Sequence, residues 1–248
     1  MSIQVKPPRP IQLPAPARAA PAVERLPFNP GDHLSRTEFE RRYAAHPQIK
    51  KAELVEGVIY MPSPLHFKSH GFPHIAVAGW LALYVAATPG VTAADNATVR
   101  LDLENEVQPD ALLRLEPAQG GKSRITPDDF VEGPPELIVE VAASSTAYDL
   151  HAKRRVYQRS GVQEYLAIQM YEQRADWFAL REGEYALIEP DDPSTGSGGV
   201  LKSQIFPGLW LKAEHLFAGD LAALLATLQE GLACSEHGAF VARLQTPT

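Results

Sequence analysis

The sequence predicts a mixed α/β fold that contains hairpins. Its 248 residues are enough for one domain with a full hydrophobic core. The predicted order is a short helix, strands, a buried helix and further strands, which is not a regular series of βαβ units. No GxGxxG motif is present, so a dinucleotide-binding fold is not expected.

The composition indicates a soluble protein of a reducing compartment. The 23 Lys and Arg against 30 Asp and Glu give a net charge of −7, which argues against a histone-like coat on nucleic acid. The single cysteine, Cys234, excludes an intramolecular disulfide framework. The longest apolar run, Ile75 to Ala87, has thirteen residues and is too short to cross a bilayer, and no signal peptide is visible. We therefore expect a cytoplasmic protein that does not bind a membrane.

Three segments are expected along the chain: an arm over 1–30, a main domain over 31–220 and a C-terminal helical extension over 221–248. Eight of the 22 prolines lie in the first thirty residues, and this stretch has no apolar period. The arm is therefore expected to be extended and disordered. Its four basic residues and one glutamate give it a charge of +3, which leaves −10 on the rest of the chain.

The first half of the main domain is predicted to hold a short helix, a β-rich stretch and a buried helix. Ser35 and Glu38 have the spacing of a capping box, so a helix is expected after Ser35. Residues 52–61 favour strands, and the prolines of the following MPSP segment end them. Residues 74–87 are almost wholly apolar and predict a buried helix.

The second half is predicted to combine short strands with two helices. Strands are expected over 98–103, 110–115, 136–141, 164–169, 175–180 and 184–188. A basic amphipathic helix is expected over 149–159, closed by Gly161, and a late helix over 221–232. The Gly- and Ser-rich residues 191–199 are expected to form a flexible loop.

Asp110 and Glu140 are the acidic residues that stand out in this pattern. Asp110 opens an apolar strand, and Glu140 lies between Val139 and Val141 in a strand without a clear polar face. Either acid could point to solvent, but buried charges are normally paired or bind a metal. Two carboxylates on neighbouring strands could hold a hydrated Mg²⁺ for phosphodiester cleavage, or act as acid and nucleophile of a glycosidase. The scarcity of aromatic residues near either acid disfavours the glycosidase.

The predicted helix over 149–159 concentrates positive charge in an otherwise acidic chain. Its basic residues are Lys153, Arg154, Arg155 and Arg159. Helical spacing places Asp149, Lys153 and Tyr157 on one face. Either the helix is an ordinary solvated one, or Lys153 points at the acid pair while the arginines contact phosphates.

Three histidines, His66, His70 and His74, follow a four-residue spacing that would form a metal-binding face on one continuous helix. Gly71 and Pro73 interrupt this spacing, so neither a continuous helix nor a zinc site is expected. His70 or His74 is instead expected near the entrance of the site or hydrogen-bonded within the fold. No GxSxG motif is present, so a serine nucleophile has no support.

Several short segments occur together in a recognisable order. They are ELVEG (53–57), MPSP (61–64), VRLDL (99–103), QPDALL (108–113), PPELIVEVAASS (134–145), DLHAKRRVYQRSGVQEYL (149–166) and FPGLWL (206–211). This order resembles the Uma-two family of putative restriction endonucleases, within the PD-(D/E)XK nuclease superfamily. The resemblance covers about residues 35–220. It implies a restriction-endonuclease-like mixed β-sheet flanked by helices, with a metal-dependent nuclease centre on two central strands.

The resemblance also implies roles for individual residues. Asp110 matches the aspartate of the PD motif and Glu140 the acid of the (D/E)XK motif, so both are implied metal ligands. The lysine position of that motif holds Ala142. The resemblance implies that the lysine has moved to the following helix, where Lys153 is available. Glu53 matches an early glutamate of the family, which is expected to support the metal or the water; we prefer it to Glu56.

The implied function is Mg²⁺- or Mn²⁺-dependent hydrolysis of phosphodiester bonds in nucleic acid, with DNA favoured. Lys153 would orient the attacking water or neutralise charge on the phosphorane, and its replacement by Ala is expected to leave folding nearly intact. The implied nucleic-acid contacts are Arg154, Arg155, Arg159 and His70. The acidic body disfavours DNA binding, which the basic helix, the arm or a homodimer could offset. The alternative, favoured by Ala142 and by the acidic body, is a catalytically weak nuclease fold that serves as a binding or regulatory module.

Overall fold

A computed structural model of the chain describes residues 27–61, 65–143, 148–191 and 199–246. The helices are α1 (Arg36–Ala44), α2 (Phe72–Ala87), α3 (Tyr148–Ser160), α4 (Ala213–Phe217), α5 (Leu221–Leu232) and α6 (Ser235–Leu244), with a π-helix over Phe67–Gly71. The strands are β1 (Glu53–Val55), β2 (Val58–Tyr60), β3 (Val91–Asp95), β4 (Val99–Arg100), β5 (Glu106–Val107), β6 (Ala111–Leu115), β7 (Arg124–Ile125), β8 (Val131–Glu132), β9 (Leu137–Ala142), β10 (Glu164–Gln169), β11 (Arg174–Arg181), β12 (Glu184–Leu187), β13 (Leu201–Lys202) and β14 (Trp210–Leu211). The predictions for residues 1–26 and for the loop residues 192–198 lie outside the described residues.

Two six-stranded sheets form the frame of the protein. The first sheet has the strand order β2-β1-β5-β4-β8-β7, and the second has the order β12-β11-β10-β9-β6-β3. In the second sheet β9 and β10 are parallel, and α3 supplies the long connection that a parallel pair needs. β6 runs antiparallel to β9 on the other side. The predicted mixed α/β fold, with hairpins and flanking helices, is confirmed.

Strand β9 is buried on both faces, which explains why its sequence shows no polar face. Leu137, Val139 and Val141 belong to the larger core, which includes side chains of α2, α5 and α6. Ile138 belongs to a second core, which side chains of α3 and the first sheet complete. Because side chains alternate along a strand, Glu140 lies on the same face as Ile138 and points towards α3 and the first sheet.

The helices after residue 220 are part of the larger core. Leu224 and Leu228 of α5, together with Phe240 and Leu244 of α6, pack in the same cluster as Trp80 of α2. The C-terminal helical segment therefore contributes to the main body rather than standing apart from it.

The packed body begins before residue 31, where the sequence placed its start. Phe28 is 6% exposed, and its ring stacks on Tyr43 with 5.7 Å between the ring centroids. It also contacts Phe39 of α1, at 5.5 Å between centroids. The backbone N–H of Glu38 donates to the Ser35 side chain at the start of α1, as the capping spacing predicted. Phe28 thus packs against α1 from the segment that precedes the helix.

One local prediction is wrong. The strand expected over 98–103 is only two residues long, because Asp102 accepts hydrogen bonds from Asn105 and from the backbone N–H of Glu104 and turns the chain. His66 lies before the π-helix with an extended backbone, and the π-helix gives way to α2 at Gly71, so the three histidines do not share one continuous α-helix, as expected. Pro73 lies in the first turn of α2, where its missing N–H is tolerated.

Within the described residues, no helix has both the length and the apolarity needed to cross a membrane.

Candidate functional site

Asp110 and Glu140 lie opposite each other where β6 pairs with β9. The register pairs Ala111 with Val139, and continuing it by one residue places Asp110 across from Glu140. Residues opposite each other on antiparallel strands have Cβ atoms about 4.5–5.5 Å apart on the same face of the sheet. Both side chains are buried. The predicted adjacency of the two acid-bearing strands is confirmed.

The ammonium group of Lys153 lies between two carboxylates. Its Nζ atom is 2.9 Å from Glu53 Oε1 and 3.0 Å from Glu140 Oε1, and the side chain is 4% exposed. The parallel crossover folds α3 back beside β9, while β1 of the first sheet delivers Glu53 from the other side. Three residues that the sequence singled out are thereby brought into direct contact. Lys153 thus brings a positive charge from the next helix to Glu140, whereas position 142 of the same strand holds an alanine.

Two further hydrogen bonds fix the carboxylates. The hydroxyl of Tyr157 donates to Glu140 Oε1 at 2.7 Å, and the backbone N–H of Gln108 donates to Glu53 Oε1 at 2.6 Å. Lys153 and Tyr157 are one helical turn apart, so a single face of α3 contacts Glu140 twice. The positions of both glutamates are therefore set by packed elements rather than by a loop.

Burial and charge act in opposite directions on the ionisable groups of this site. Burial, together with the neighbouring carboxylates of Asp110 and Glu53, raises the pKa of Glu140 to about 7, although Lys153 opposes the rise. Burial alone would lower the pKa of Lys153, but Glu140 and Glu53 outweigh it and raise that pKa above its ordinary value. Burial also raises the pKa of Tyr157, so its hydroxyl stays protonated and donates to Glu140. The site therefore keeps a protonated lysine among closely spaced carboxylates.

Asp110 is held by the backbone of β9 and faces two basic side chains. Its Oδ2 atom accepts the backbone N–H of Val141 at 2.8 Å. Its Oδ1 atom is 3.5 Å from His70 Nε2 and 3.9 Å from Lys51 Nζ. His70 is itself fixed, because its Nδ1 atom is 2.8 Å from the carbonyl oxygen of Val141. One carboxylate oxygen of Asp110 is thus hydrogen-bonded to the backbone of β9, and the other faces His70 and Lys51.

His74 lies about one turn after His70, across the junction between the π-helix and α2. The two rings stack with 5.4 Å between their centroids. His74 Nε2 is 2.8 Å from Asp95 Oδ1 and 3.0 Å from the backbone carbonyl oxygen of Asp110. Both histidines therefore lie at the site, as expected, and His74 supports the backbone that carries Asp110.

The carboxylate oxygens of Asp110 and Glu140 that accept no hydrogen bond among the described residues suit a hydrated divalent cation. Among the described residues, Asp110 Oδ1 and Glu140 Oε2 accept no hydrogen bond, whereas Asp110 Oδ2 and Glu140 Oε1 do. In the same part of the chain, no group of three or more His, Cys, Asp or Glu side chains is arranged to hold a metal. Mg²⁺ typically takes one or two protein carboxylates and keeps several waters, so these two oxygens fit it, with His70 and Lys51 close to Asp110 Oδ1. They do not fit Zn²⁺, which takes three or four protein ligands.

The sequence comparison decides which family the chain belongs to. Residues 36–214 match the sequence profile of Uma2, described as "Putative restriction endonuclease". The chain belongs to the Uma2 family. The match covers more than half of the chain and confirms the resemblance drawn from the motif order. It includes every residue of the carboxylate–lysine site, namely Glu53, Asp110, Glu140, Lys153 and Tyr157. No curated protein matches the chain.

A solved structure shares the fold of this Uma2 protein. It is the crystal structure of a putative nuclease belonging to DUF820 from Anabaena variabilis, with a TM-score of 0.54 and 14% sequence identity. The match covers 72% of this chain and 97% of that chain. At this identity the likeness concerns the fold, and it agrees with the restriction-endonuclease-like architecture predicted from the motifs.

The arginines of α3 in this Uma2 chain lie on the exposed side of the helix. Arg155 and Arg159 contact Glu56 at 3.1 and 3.4 Å, so they pair with the turn between β1 and β2. Arg154 lies over the ring of Phe178, at 5.2 Å from its centroid. The structure therefore separates them from the buried Lys153 of the same helix. Glu56 forms these two ion pairs, whereas Glu53 contacts Lys153 in the site.

Two residues of the site, Tyr157 and Lys51, were not predicted from the sequence to belong to it. Tyr157 was placed on the face of Lys153, but no role was drawn from that placement. Lys51 precedes Glu53 by two residues, and alternation along an extended segment puts both on one face, which is the signal that could have found it. Its Nζ atom is also held by Asn96 Oδ1 at 2.9 Å.

Proposed function

We propose that this protein is a metal-dependent endonuclease that hydrolyses phosphodiester bonds in nucleic acid. The observation that carries the proposal is the placement of the Lys153 ammonium between Glu53 and Glu140, beside Asp110. Membership of a family described as "Putative restriction endonuclease" supports the reaction class. The buried cation among carboxylates is what a phosphoryl-transfer site requires in order to bind a metal and a charged phosphate together.

The residues that would hold the metal are Asp110 and Glu140, through the two oxygens that accept no hydrogen bond within the described residues. When bound, Mg²⁺ or Mn²⁺ would supply charge stabilisation to the phosphate and acidify a bound water. Tyr157 holds one oxygen of Glu140, and the backbone N–H of Val141 holds one oxygen of Asp110. This support matters because a small displacement of a catalytic carboxylate lowers the rate strongly.

Lys153 would act on the attacking water or on the phosphate. An ammonium group has three N–H donors, and Glu53 and Glu140 use two of them. Within the described part of the chain the third has no partner, and it would orient a water or bind a phosphate oxygen on which negative charge develops. Lys51, which faces Asp110 Oδ1, is a second cation within reach of a bound phosphate.

A cleavage assay tests the proposal. Supercoiled plasmid, single-stranded DNA and RNA would each be incubated with the wild-type protein in Mg²⁺, in Mn²⁺ and in EDTA. We expect cleavage of at least one substrate with either metal and none in EDTA. Asp110→Asn should abolish cleavage, whereas the matched surface variant Glu230→Gln, exposed on α5, should cleave as the wild type does.

The alternative of a catalytically weak binding module has its own support. The positive charge of Lys153 is compensated by two glutamates, and Arg155 and Arg159 are paired with Glu56. If wild-type protein binds DNA but leaves all three substrates intact in both metals, the endonuclease proposal is wrong and the binding module is the better account.

A further inference from the structure

A cavity lies between α1 and the first sheet, on the sheet face opposite to the carboxylate–lysine site. Its volume is about 470 Å³, and its lining includes Glu40, Tyr43, Ala44, Pro47, Arg100 and Phe130. The register pairs both Leu54 and Arg100 with Glu106, so these three side chains share one face. Glu53, the neighbour of Leu54, must then lie on the other face. One sheet therefore has the candidate nuclease centre on one side and this cavity on the other.

The charged residues at this cavity are paired with one another and are largely closed off from water. Arg100 Nε is 2.9 Å from Glu40 Oε1, and Arg36 Nε is 3.5 Å from the same oxygen. These three atoms and Glu106 Oε2 are buried. Arg100 also donates to Asp128 through its Nη1 atom, at 2.8 Å. The surface that a ligand could touch is therefore mostly apolar.

The accessible walls of the cavity suit a segment rich in proline. Tyr43 and Phe130 supply aromatic surface, and Ala44 and Pro47 lie exposed at the rim. The guanidinium carbon of Arg100 lies 4.1 Å from the centroid of the Phe130 ring and covers one of its faces. Grooves lined by aromatic side chains are the usual binding sites of polyproline II segments. Such a segment loses little entropy on binding, because its extended helix is already formed.

The described part of the chain begins beside this cavity. The ring of Phe28 stacks on Tyr43, with 5.7 Å between the ring centroids and 3° between the ring planes. The Nη1 atom of Arg42 donates to the carbonyl oxygen of Pro27 at 2.8 Å. The Pro-rich residues 1–26 therefore join the body next to Tyr43, which is also a wall of the cavity. At about 3.1 Å per residue of polyproline II, this arm is long enough to reach the cavity.

The arm contains a sequence that matches these walls. Residues 13–21, LPAPARAAP, hold three prolines among apolar residues, with Arg18 as the one charge. The whole arm carries +3 and the rest of the chain −10, so the two attract each other. Because the arm is tethered, its effective concentration at the cavity is on the order of 1 mM, and weak contacts are enough to hold it there.

We propose that residues 13–21 dock in this cavity of their own chain as a polyproline II segment, with their proline rings packed on Tyr43 and Phe130. Docking keeps the arm extended, as its sequence predicts, and covers apolar surface that otherwise faces water. The arm of a second copy would have to bind without the tether and is therefore the weaker occupant. The inference goes beyond the proposed nuclease function and does not depend on it, because the cavity lies across the sheet from Glu53.

Limited proteolysis of the full-length protein tests this proposal. Trypsin cleaves after Arg18, whereas the bonds after Lys6 and Arg9 precede prolines and resist it. The rate of cleavage after Arg18 would be compared between the wild-type protein and a synthetic peptide of residues 1–26. We expect the protein to be cleaved at least about tenfold more slowly than the peptide, since proteolysis follows the population of the open form.

Variants of the body locate this protection at the cavity. Phe130→Ala removes one wall, and Ala44→Trp fills the cavity from the exposed rim; both should lose the protection of Arg18. Ala44→Trp removes no buried side chain, so it keeps the test decisive if Phe130→Ala does not fold. The matched control Ala86→Trp, at an exposed position of α2, and Asp110→Asn should both stay protected.

The proposal is overturned if the wild type is cleaved as fast as the peptide, or if Ala44→Trp stays protected. Protection that grows with protein concentration in the micromolar range would identify the arm of a second copy as the occupant and would also overturn it. Loss of protection in Asp110→Asn would place the arm at the carboxylate–lysine site instead, against the proposal. Failure of the nuclease proposal would appear in the nucleic-acid cleavage assay and would leave these trypsin rates unchanged.

Discussion

The Nζ atom of Lys153 lies 3.0 Å from Oε1 of Glu140, thirteen residues upstream in the chain. In the (D/E)XK motif that the sequence resembles, the lysine follows the acid by two positions, and here Ala142 holds that position. The parallel crossover from β9 to β10 lays α3 over the strand, so that a helical lysine reaches the strand carboxylate. The spatial relationship between cation and acid is present although the linear spacing is different.

Replacing Lys153 by Ala is expected to lower stability as well as activity. The substitution leaves Glu53 and Glu140 buried without their cation, and breaking a buried ion pair from one side costs about 3–5 kcal/mol. The burial of Lys153 thus argues against the sequence-based expectation that folding would be nearly intact. Urea unfolding measures the loss, with His151→Ala, exposed on the same helix, as the matched control. A loss below about 1 kcal/mol, as for an exposed pair, would contradict the buried geometry.

Tyr157→Phe should weaken metal binding while keeping the fold. The change removes the hydroxyl that donates to Glu140 at 2.7 Å and leaves the ring in the core. Loss of such a supporting hydrogen bond typically weakens metal affinity by about 10–100-fold. Calorimetric titration with Mn²⁺ measures the change, and Tyr171→Phe, at an exposed tyrosine, is the control. Equal Mn²⁺ affinity in Tyr157→Phe and wild type would show that this contact does not orient Glu140 for a metal.

Stability should depend on pH through Glu106. The folded protein holds its pKa at about 8, above the ordinary 4.5, mainly because the group is buried. The folded state therefore keeps a proton that the unfolded chain has already lost, so this contribution is complete below about pH 4.5 and is lost as the pH rises through 8. Unfolding free energies measured from pH 5 to pH 8 should fall less in Glu106→Gln than in wild type, by about 2–4 kcal/mol.

Glu140 and Glu164 also have raised pKa values of about 7, because both are buried. Neither contacts Glu106, so the difference between the two curves reports Glu106 together with its neighbour Glu40. The exposed Glu230→Gln should reproduce the wild-type curve. Parallel curves for Glu106→Gln and wild type would show that the pKa of Glu106 is not raised in the folded protein.

Phe28→Ala should destabilise the protein although the residue belongs to the segment expected to be unpacked. Its ring is 6% exposed and contacts Phe39 and Tyr43. Removing a buried phenylalanine costs about 3–5 kcal/mol, and thermal unfolding would report it as a lower Tm. A Tm equal to that of wild type would place the start of the body after residue 28.

The sequence predicted the structure best at residues whose role depends on the residues next to them in the chain. Glu140 stood out because no polar face surrounds it, and the structure shows a strand covered on both sides. Ser35 and the apolar residues 74–87 predicted α1 and α2 correctly, because capping and helical burial are local properties. The spacing of Lys153 and Tyr157 also predicted their shared face, since one helix fixes it.

The remaining features depend on distant contacts that the sequence does not display. Strands of two residues, such as β5 and β8, are too short to show alternation and are defined by their partners. The contact between Lys51 and Asp110 joins two elements about sixty residues apart. The cavity beside Glu106 depends on how α1 lies over the first sheet, which no local pattern encodes.

The contact between Lys153 and Glu53 joins residues that are 100 positions apart in the chain. Such non-local pairing, together with the parallel β9–β10 pair, is slow to form because a long loop must close first. During synthesis, Glu53, Asp110 and Glu140 leave the ribosome before their cation exists. A nascent or partly folded chain therefore holds the acids without the lysine that completes the site. If the protein cuts nucleic acid, a nascent chain that ends before Lys153 lacks the cation of the site and is not expected to cut.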